Sequence, residues 1–183
     1  MSTAHCWSWC GAWNGKGVSY AVIGGMALAQ HGLVRVTQDV DILLTSEGLD
    51  IFRERCVGRG YVPAFPGARK TFRDTQTQVR IEVITAGEYP GDGLPKPVAF
   101  PDPEVAALER EGLWVVTLEN LVQLKLASGT APHLPRDLAD VQDLIAALDL
   151  PLEFAERLDA SVRDEYVRLW HTVQTAGEGQ EWE

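Results

Sequence analysis

The sequence predicts an α/β (α+β) protein: a small mixed β-sheet flanked by helices and followed by a helical C-terminal part. Short apolar, β-branched runs alternate with short helical segments over residues 18–112, the expected core. Longer segments with helical periodicity fill residues 113–183, which we expect to belong to the same domain. Residues 1–17 combine Trp, Cys and Gly without periodicity, so we expect a poorly ordered or appended segment there.

The predicted elements follow one another closely along the chain. Residues 85–103 are rich in Gly and Pro and predict a long loop, either the border of a site or a plain connection. Strands are predicted over 19–23, 40–44, 61–65, 70–73 and 79–85, and an extended piece over 113–116. Helices are predicted over 26–31, 49–57, 117–128, 136–148 and 151–175.

The composition is that of a globular chain. Of 183 residues, 45% are hydrophobic and 23% are charged, which allows a substantial core. No apolar run approaches the roughly 20 residues that a transmembrane helix needs. The first ten residues also lack the charged and apolar regions of a secretory leader. We therefore expect a cytoplasmic protein with no membrane partner.

The charge is unevenly distributed. The formal net charge is −10, yet residues 53–80 carry a local excess of +5 and residues 92–183 carry −11. An acidic chain is a poor general binder of nucleic acid, because the phosphate backbone dominates that affinity. The basic stretch suits a nucleotide or an RNA end, and chance clustering on a solvated surface explains it equally well.

Two aspartates in the predicted second strand are the first candidates for chemistry. Asp39 and Asp41 are two positions apart, so their carboxylates lie on the same face of a strand. Like charges this close repel unless a cation lies between them, and paired carboxylate oxygens suit Mg²⁺ or Mn²⁺. Gly24 and Gly25 stand where a strand meets a helix, a place where backbone N–H groups can approach a phosphate.

A third carboxylate completes the candidate cluster. Glu82 is flanked by apolar residues on a predicted strand, where a charge has to be functional or paired. If that strand lies beside residues 40–44, the three carboxylates can hold two metal ions. The alternative is that Asp39 caps a turn, that Asp41 pairs with Arg35, and that Glu82 pairs with Arg80 or Arg73.

At this point the sequence resembles the nucleotidyltransferase superfamily that includes DNA polymerase beta. The closer resemblance is to the small bacterial branch of minimal nucleotidyltransferases and abortive-infection (AbiEii-like) toxins, and it covers residues 18 to about 150. The residues that carry it are 22–27, Arg35, Thr37, Asp39, Asp41, Ile42 and Leu43, followed by Lys125, Arg136, Asp137 and Asp140.

The resemblance implies a metal-dependent transfer of a nucleoside monophosphate from an NTP to a hydroxyl acceptor. It implies that Gly24 and Gly25 contact phosphate, that Asp39, Asp41 and Glu82 hold the metals, and that Glu82 helps to deprotonate the acceptor. Lys125 becomes a candidate for the triphosphate charge, with a surface lysine lying along an apolar stripe as the alternative.

The resemblance leaves the acceptor and the partners open. We expect the acceptor to be a small molecule, tRNA or a protein. We expect the chain either to be a component of a toxin–antitoxin system, with an antitoxin as its partner, or to form a homo-oligomer. The family usually has a serine beside the second glycine, where this chain has Met26. The loss of that hydroxyl favours the alternative function, a catalytically inactive module that binds a nucleotide or a protein.

Overall fold

A mixed β-sheet forms the core of the first of two compact units into which the chain divides. The computed structural model describes residues 18–34, 37–129 and 135–178, so the predicted segment 1–17 and Arg35 lie outside the described residues. The first unit comprises, of these, residues 18–34, 37–88 and 100–117, and the second unit comprises the rest.

Seven strands of the described residues make up this sheet, in the order β3-β4-β5-β2-β1-β7-β6. Neighbours pair antiparallel except β2 with β5 and β1 with β7, which are parallel. The strands are β1 (Tyr20–Ile23), β2 (Asp39–Leu44), β3 (Tyr61–Pro63), β4 (Thr71–Asp74), β5 (Arg80–Thr85), β6 (Ala107–Arg110) and β7 (Leu113–Val116).

Three helices accompany the sheet in the first unit: α1 (Gly24–Gln30), α2 (Ser46–Cys56) and α3 (Pro103–Ala106). At the start of α2, the Thr45 hydroxyl accepts a hydrogen bond of 2.9 Å from the Gly48 N–H, an N-cap contact. Phe52 of α2 is fully buried and meets Phe72 edge to face at 4.9 Å between ring centroids. Helix α2 therefore covers the sheet face that carries the alternate, apolar side chains of β2, β4 and β5.

The sequence missed one strand of this unit. Strand β6 has the sequence Ala-Leu-Glu-Arg, which lacks β-branched residues and has a high helix propensity. It is a strand because it pairs antiparallel with β7, with Glu111 and Gly112 in the turn at positive φ. Tertiary pairing overrides the local propensity here. The predicted loop 85–103 overlaps α3 by one residue, Pro103.

The second unit is helical. Its described residues are 89–99, 118–129 and 135–178. Its main part starts at Leu118, whereas the predicted helical part started at residue 113, because residues 113–116 form strand β7 of the sheet. Its helices are α4 (Leu118–Gly129), α5 (Pro135–Leu148), a 3₁₀ helix (Leu152–Arg157) and α6 (Ala160–Glu178).

The prediction of a single helix over 151–175 was wrong, because two helices lie there. The backbone is extended at Leu158 (φ −94°, ψ 162°), which separates the 3₁₀ helix from α6. The Asp159 carboxylate then accepts a hydrogen bond of 2.9 Å from the Ser161 N–H at the start of α6. An aspartate in this position begins a new helix, which is why the periodicity continued while the helix did not.

Among the described residues, no helix is long and apolar enough to cross a membrane.

Candidate functional site

The two aspartates and the glutamate lie on one face of two adjacent strands. Strands β2 and β5 are parallel and in register, so that Asp41 is directly opposite Glu82 and Asp39 is opposite Arg80. Residues in register on neighbouring strands point to the same side of a sheet. The three carboxylates can form a cluster only if β2 and β5 are neighbours, and this adjacency is confirmed. The register also puts Arg80 next to Asp39.

The carboxylates are accessible to a ligand. The side chains of Asp39 and Glu82 are 42% and 47% exposed, whereas Val40, Ile81 and Val83, which alternate with them, are buried. This alternation puts the carboxylates of Asp39 and Glu82 on the opposite face from the apolar side chains that pack under α2. Glu82 is thus not a buried charge between apolar neighbours, because its strand neighbours point to the opposite side.

Arg80 pairs with two members of the cluster. Its Nη2 lies 3.4 Å from Glu82 Oε2, and its Nη1 lies 3.8 Å from Asp39 Oδ2. One part of the alternative interpretation, the pairing of Glu82 with Arg80, is therefore observed. Exposed pairs of this kind contribute little to stability, about 0–1 kcal/mol, so a stronger cation can compete with Arg80 for the carboxylates.

Gly24 makes a close approach to Asp41. It begins α1 with a positive φ of 66°, and a Cβ built on it would lie 2.0 Å from Asp41 Oδ2 and 2.9 Å from Asp41 Cγ. Any other residue would strain the backbone and displace the carboxylate. The glycine that the sequence assigned to a phosphate site thus also positions the second aspartate.

The side chain of Thr37 lies against Gly25. A Cβ at Gly25 would lie 3.1 Å from Thr37 Cβ, and the Thr37 hydroxyl donates a hydrogen bond of 2.9 Å to the Asp39 carbonyl oxygen. Thr37 therefore connects the glycine turn to the start of β2. In the sequence, Thr37 stands out only through the family resemblance, and its position two residues before Asp39 was the one available signal.

The start of α1, where the phosphate contact is predicted, lies beside the Asp41 carboxylate. Its N-cap residue, Ile23, has an extended backbone and accepts no hydrogen bond through its side chain. The first N–H groups of a helix lack partners within the helix, and the helix end favours negative charge. This geometry is compatible with the predicted contact of Gly24 and Gly25 with phosphate, which stays a prediction.

The donor set fits a magnesium ion in its chemistry. Asp39, Asp41 and Glu82 offer carboxylate oxygens, the ligands that Mg²⁺ and Mn²⁺ prefer. In the described residues, however, no three His, Cys, Asp or Glu side chains are grouped closely enough to hold a metal ion. Arg80 is the cation between Asp39 and Glu82 in this arrangement, and their exposure lets both carboxylates turn without disturbing the core.

Lys125 of α4 is held by two aspartates of α5. Its Nζ donates hydrogen bonds of 2.8 Å to Asp137 and 2.7 Å to Asp140, and the side chain is only 11% exposed. It is therefore not a surface lysine lying along an apolar stripe. The ion pairs stabilise the packing of α4 against α5, and the role of Lys125 towards a triphosphate stays a prediction.

Comparison with known proteins assigns the fold. No protein-family model and no curated protein matches the sequence. Among solved structures, the antibiotic-resistance factor ANT(2'')-Ia aligns with 98% of this chain and 97% of its own, at 11% identity and a TM-score of 0.55. A nucleotidyltransferase-like protein of Paracoccidioides brasiliensis aligns with 96% and 88%, at 13% identity and a TM-score of 0.55.

These similarities show a nucleotidyltransferase-like fold: a mixed sheet with flanking helices. The predicted α/β fold class is confirmed. ANT(2'')-Ia has also been solved in complex with adenylyl-2''-tobramycin.

Proposed function

We propose that the chain is a metal-dependent nucleotidyltransferase that moves a nucleoside monophosphate from an NTP to a hydroxyl acceptor. The observation that carries this proposal is the contact between the glycine turn and the acidic strand pair. Gly24 approaches Asp41 so closely that no Cβ fits, and Asp41 lies directly opposite Glu82. The proposed phosphate contact and the carboxylates thus lie beside each other on the central strands of the sheet.

The residues divide the work of this reaction. The acceptor oxygen attacks the α-phosphorus, the bond from that phosphorus to the leaving pyrophosphate breaks, and the acceptor proton passes to the Glu82 carboxylate. The N–H groups at the start of α1, at Gly24 and Gly25, bind phosphate oxygens. Asp39, Asp41 and Glu82 would hold Mg²⁺ or Mn²⁺, which would supply positive charge against the charge that develops on the transferred phosphoryl group.

The charge of the chain favours a cationic small-molecule acceptor. With a net charge of −10, the protein repels a polyanion such as tRNA and attracts an aminoglycoside-like polyamine. A toxin–antitoxin role, which the AbiEii-like resemblance implies, requires instead that tRNA or a protein be the acceptor. We propose that the reaction takes place in the cytoplasm, where NTPs and Mg²⁺ are abundant.

Labelled-nucleotide transfer tests the proposal. We offer the wild-type protein tobramycin, tRNA or protein as acceptor, with Mg²⁺ and each of the four α-labelled NTPs. We expect at least one combination to transfer the labelled monophosphate to the acceptor and to release pyrophosphate. Glu82→Gln should lower the turnover by about 10²-fold or more and change NTP affinity little, because it removes the base and one metal ligand. Glu109→Gln is the matched control, an exposed strand glutamate on the far edge strand β6.

The second candidate function is a nucleotide-binding module without catalysis. It is favoured by Arg80, which already pairs with Asp39 and Glu82, and by Met26 in place of the usual serine. The same experiment separates the two functions. NTP binding by the wild type without pyrophosphate release from any of the four NTPs would support the module and contradict the transferase.

A further inference from the structure

A cavity of about 540 Å³ opens in the first unit at the C-terminal ends of β2 and β5. Ser46 and Leu49 of α2 line one side, and the segment that follows β5 lines the other. The volume is in the range of small-molecule sites, about 300–1,000 Å³.

This cavity is separate from the candidate active site. Thr85 lines the cavity and is three residues further along β5 than Glu82, a distance of about 10 Å. An odd spacing on a strand also puts Thr85 on the opposite face of the sheet from Glu82. A ligand of the cavity therefore does not contact the three carboxylates.

The charges around the cavity leave one guanidinium without a counterion. Arg53 donates a hydrogen bond of 3.2 Å to Asp50, and Lys70 pairs with Glu88. Arg69 also lines the cavity, is exposed and, within the described part of the chain, has no partner for its side chain. These three cations belong to the basic stretch that the sequence analysis singled out, and the proposed transferase reaction does not use them.

The backbone of Arg69 is held against α2 by a hydrogen bond from Arg53. The Arg53 Nε donates a hydrogen bond of 3.2 Å to the Arg69 carbonyl oxygen, which attaches this loop to α2. A guanidinium on a fixed backbone loses less freedom when it binds an anion, and its forked donors match phosphate oxygens.

A buried hydroxyl in the cavity wall also lacks a partner. Thr85 is only 5% exposed, and its Oγ1 has no hydrogen bond to any described residue. The Thr85 N–H is weakly bonded, at 3.3 Å, to Glu88, which is also the ion-pair partner of Lys70. Buried hydroxyl groups nearly always have a partner, so an unmet donor here indicates a missing acceptor.

We propose that this cavity binds a phosphate group, either free phosphate or the phosphate of a small phosphorylated molecule. Arg69 supplies the uncompensated positive charge, Lys70 moves from Glu88 to share the anion, and the Thr85 hydroxyl donates to a phosphate oxygen. The small volume and the acidic net charge of the chain select a small molecule over a nucleic acid.

Calorimetric titration of the full chain without Mg²⁺ tests this site. The probes are inorganic phosphate, ribose 5-phosphate and, as the phosphate-free control, ribose, none of which carries the base of a nucleotide. We expect phosphate and ribose 5-phosphate to bind and ribose not to bind, and tighter binding of ribose 5-phosphate than of phosphate would identify a phosphorylated small molecule. Arg69→Gln should weaken binding about tenfold or more, and Thr85→Val about fivefold, from the loss of a charged and a neutral hydrogen bond.

Two control variants make the result specific. Arg59→Gln removes the same charge from an exposed arginine of the basic stretch that does not line the cavity, and it should bind as the wild type does. Glu109→Gln, an exposed residue of the far edge strand β6 that does not line the cavity, should also leave binding unchanged. The proposal is overturned if the wild type binds no phosphate, if Arg69→Gln behaves like Arg59→Gln, or if Thr85→Val retains wild-type affinity.

Discussion

Gly24→Ala tests the close approach on which the candidate site rests. The new Cβ would lie 2.0 Å from Asp41 Oδ2, whereas ordinary contact begins at 3.4 Å, so the carboxylate oxygen must move by about 1.4 Å. Asp41 Cγ at 2.9 Å and Cβ at 3.2 Å are also too close, so the whole side chain has to turn away. We therefore expect both a loss of stability and a misplaced carboxylate.

The magnitude follows from two separate costs. An alanine at a φ of 66° costs about 1–2 kcal/mol of backbone strain. Turning Asp41 away from its preferred rotamer adds about 0.5–1.5 kcal/mol. The free energy of unfolding should therefore fall by about 2–3 kcal/mol. A carboxylate displaced by more than 1 Å should also lower any transferase turnover by about 10²-fold.

Urea denaturation with a matched glycine separates the two costs. Gly58 has a φ of 77° and no atom within 4 Å of a built Cβ, so Gly58→Ala should cost only the strain, about 1–2 kcal/mol. In an Asp41→Ala background, Gly24→Ala should cost little more than Gly58→Ala, since the carboxylate is gone and only the Cβ of residue 41, at 3.2 Å, remains close. Equal costs for Gly24→Ala and Gly58→Ala in the otherwise wild-type chain would refute the close approach and, with it, the positioning of Asp41.

Two further predictions concern the helical unit. Lys125→Met should lower the free energy of unfolding by about 3 kcal/mol in urea denaturation, because it removes the shared cation of Asp137 and Asp140. If the folded variant also loses NTP affinity, Lys125 binds the triphosphate, and unchanged affinity would contradict that role. Burial raises the pKa of Tyr166 to about 12, with the charge of Glu153 as a smaller cause. The unfolded tyrosine ionises first, near pH 10, so wild-type stability should fall by at most about 2 kcal/mol between pH 10 and 12. Tyr166→Phe should lack this fall, and an equal alkaline loss in both proteins would contradict the assignment.

The sequence by itself determined the strands and helices whose local pattern agrees with their packing. The alternating pattern over Val79–Ile84 is enough to indicate that Arg80, Glu82 and Ile84 share one face, and the register and burial of β5 agree. Likewise, the spacing of Asp39 and Asp41 fixed their common face, because a strand has a period of two. These statements are local, and periodicity is sufficient to make them.

Only the tertiary structure decided which groups meet. The parallel pairing of β2 with β5 joins segments about forty residues apart, and it brought Arg80 into the acidic cluster. Strand β6 exists because β7 pairs with it, against its helical propensity. The cavity beside Thr85 arises where the loop carrying Arg69 reaches α2. Contacts between distant segments depend on chain topology, which residue patterns within a single element do not encode.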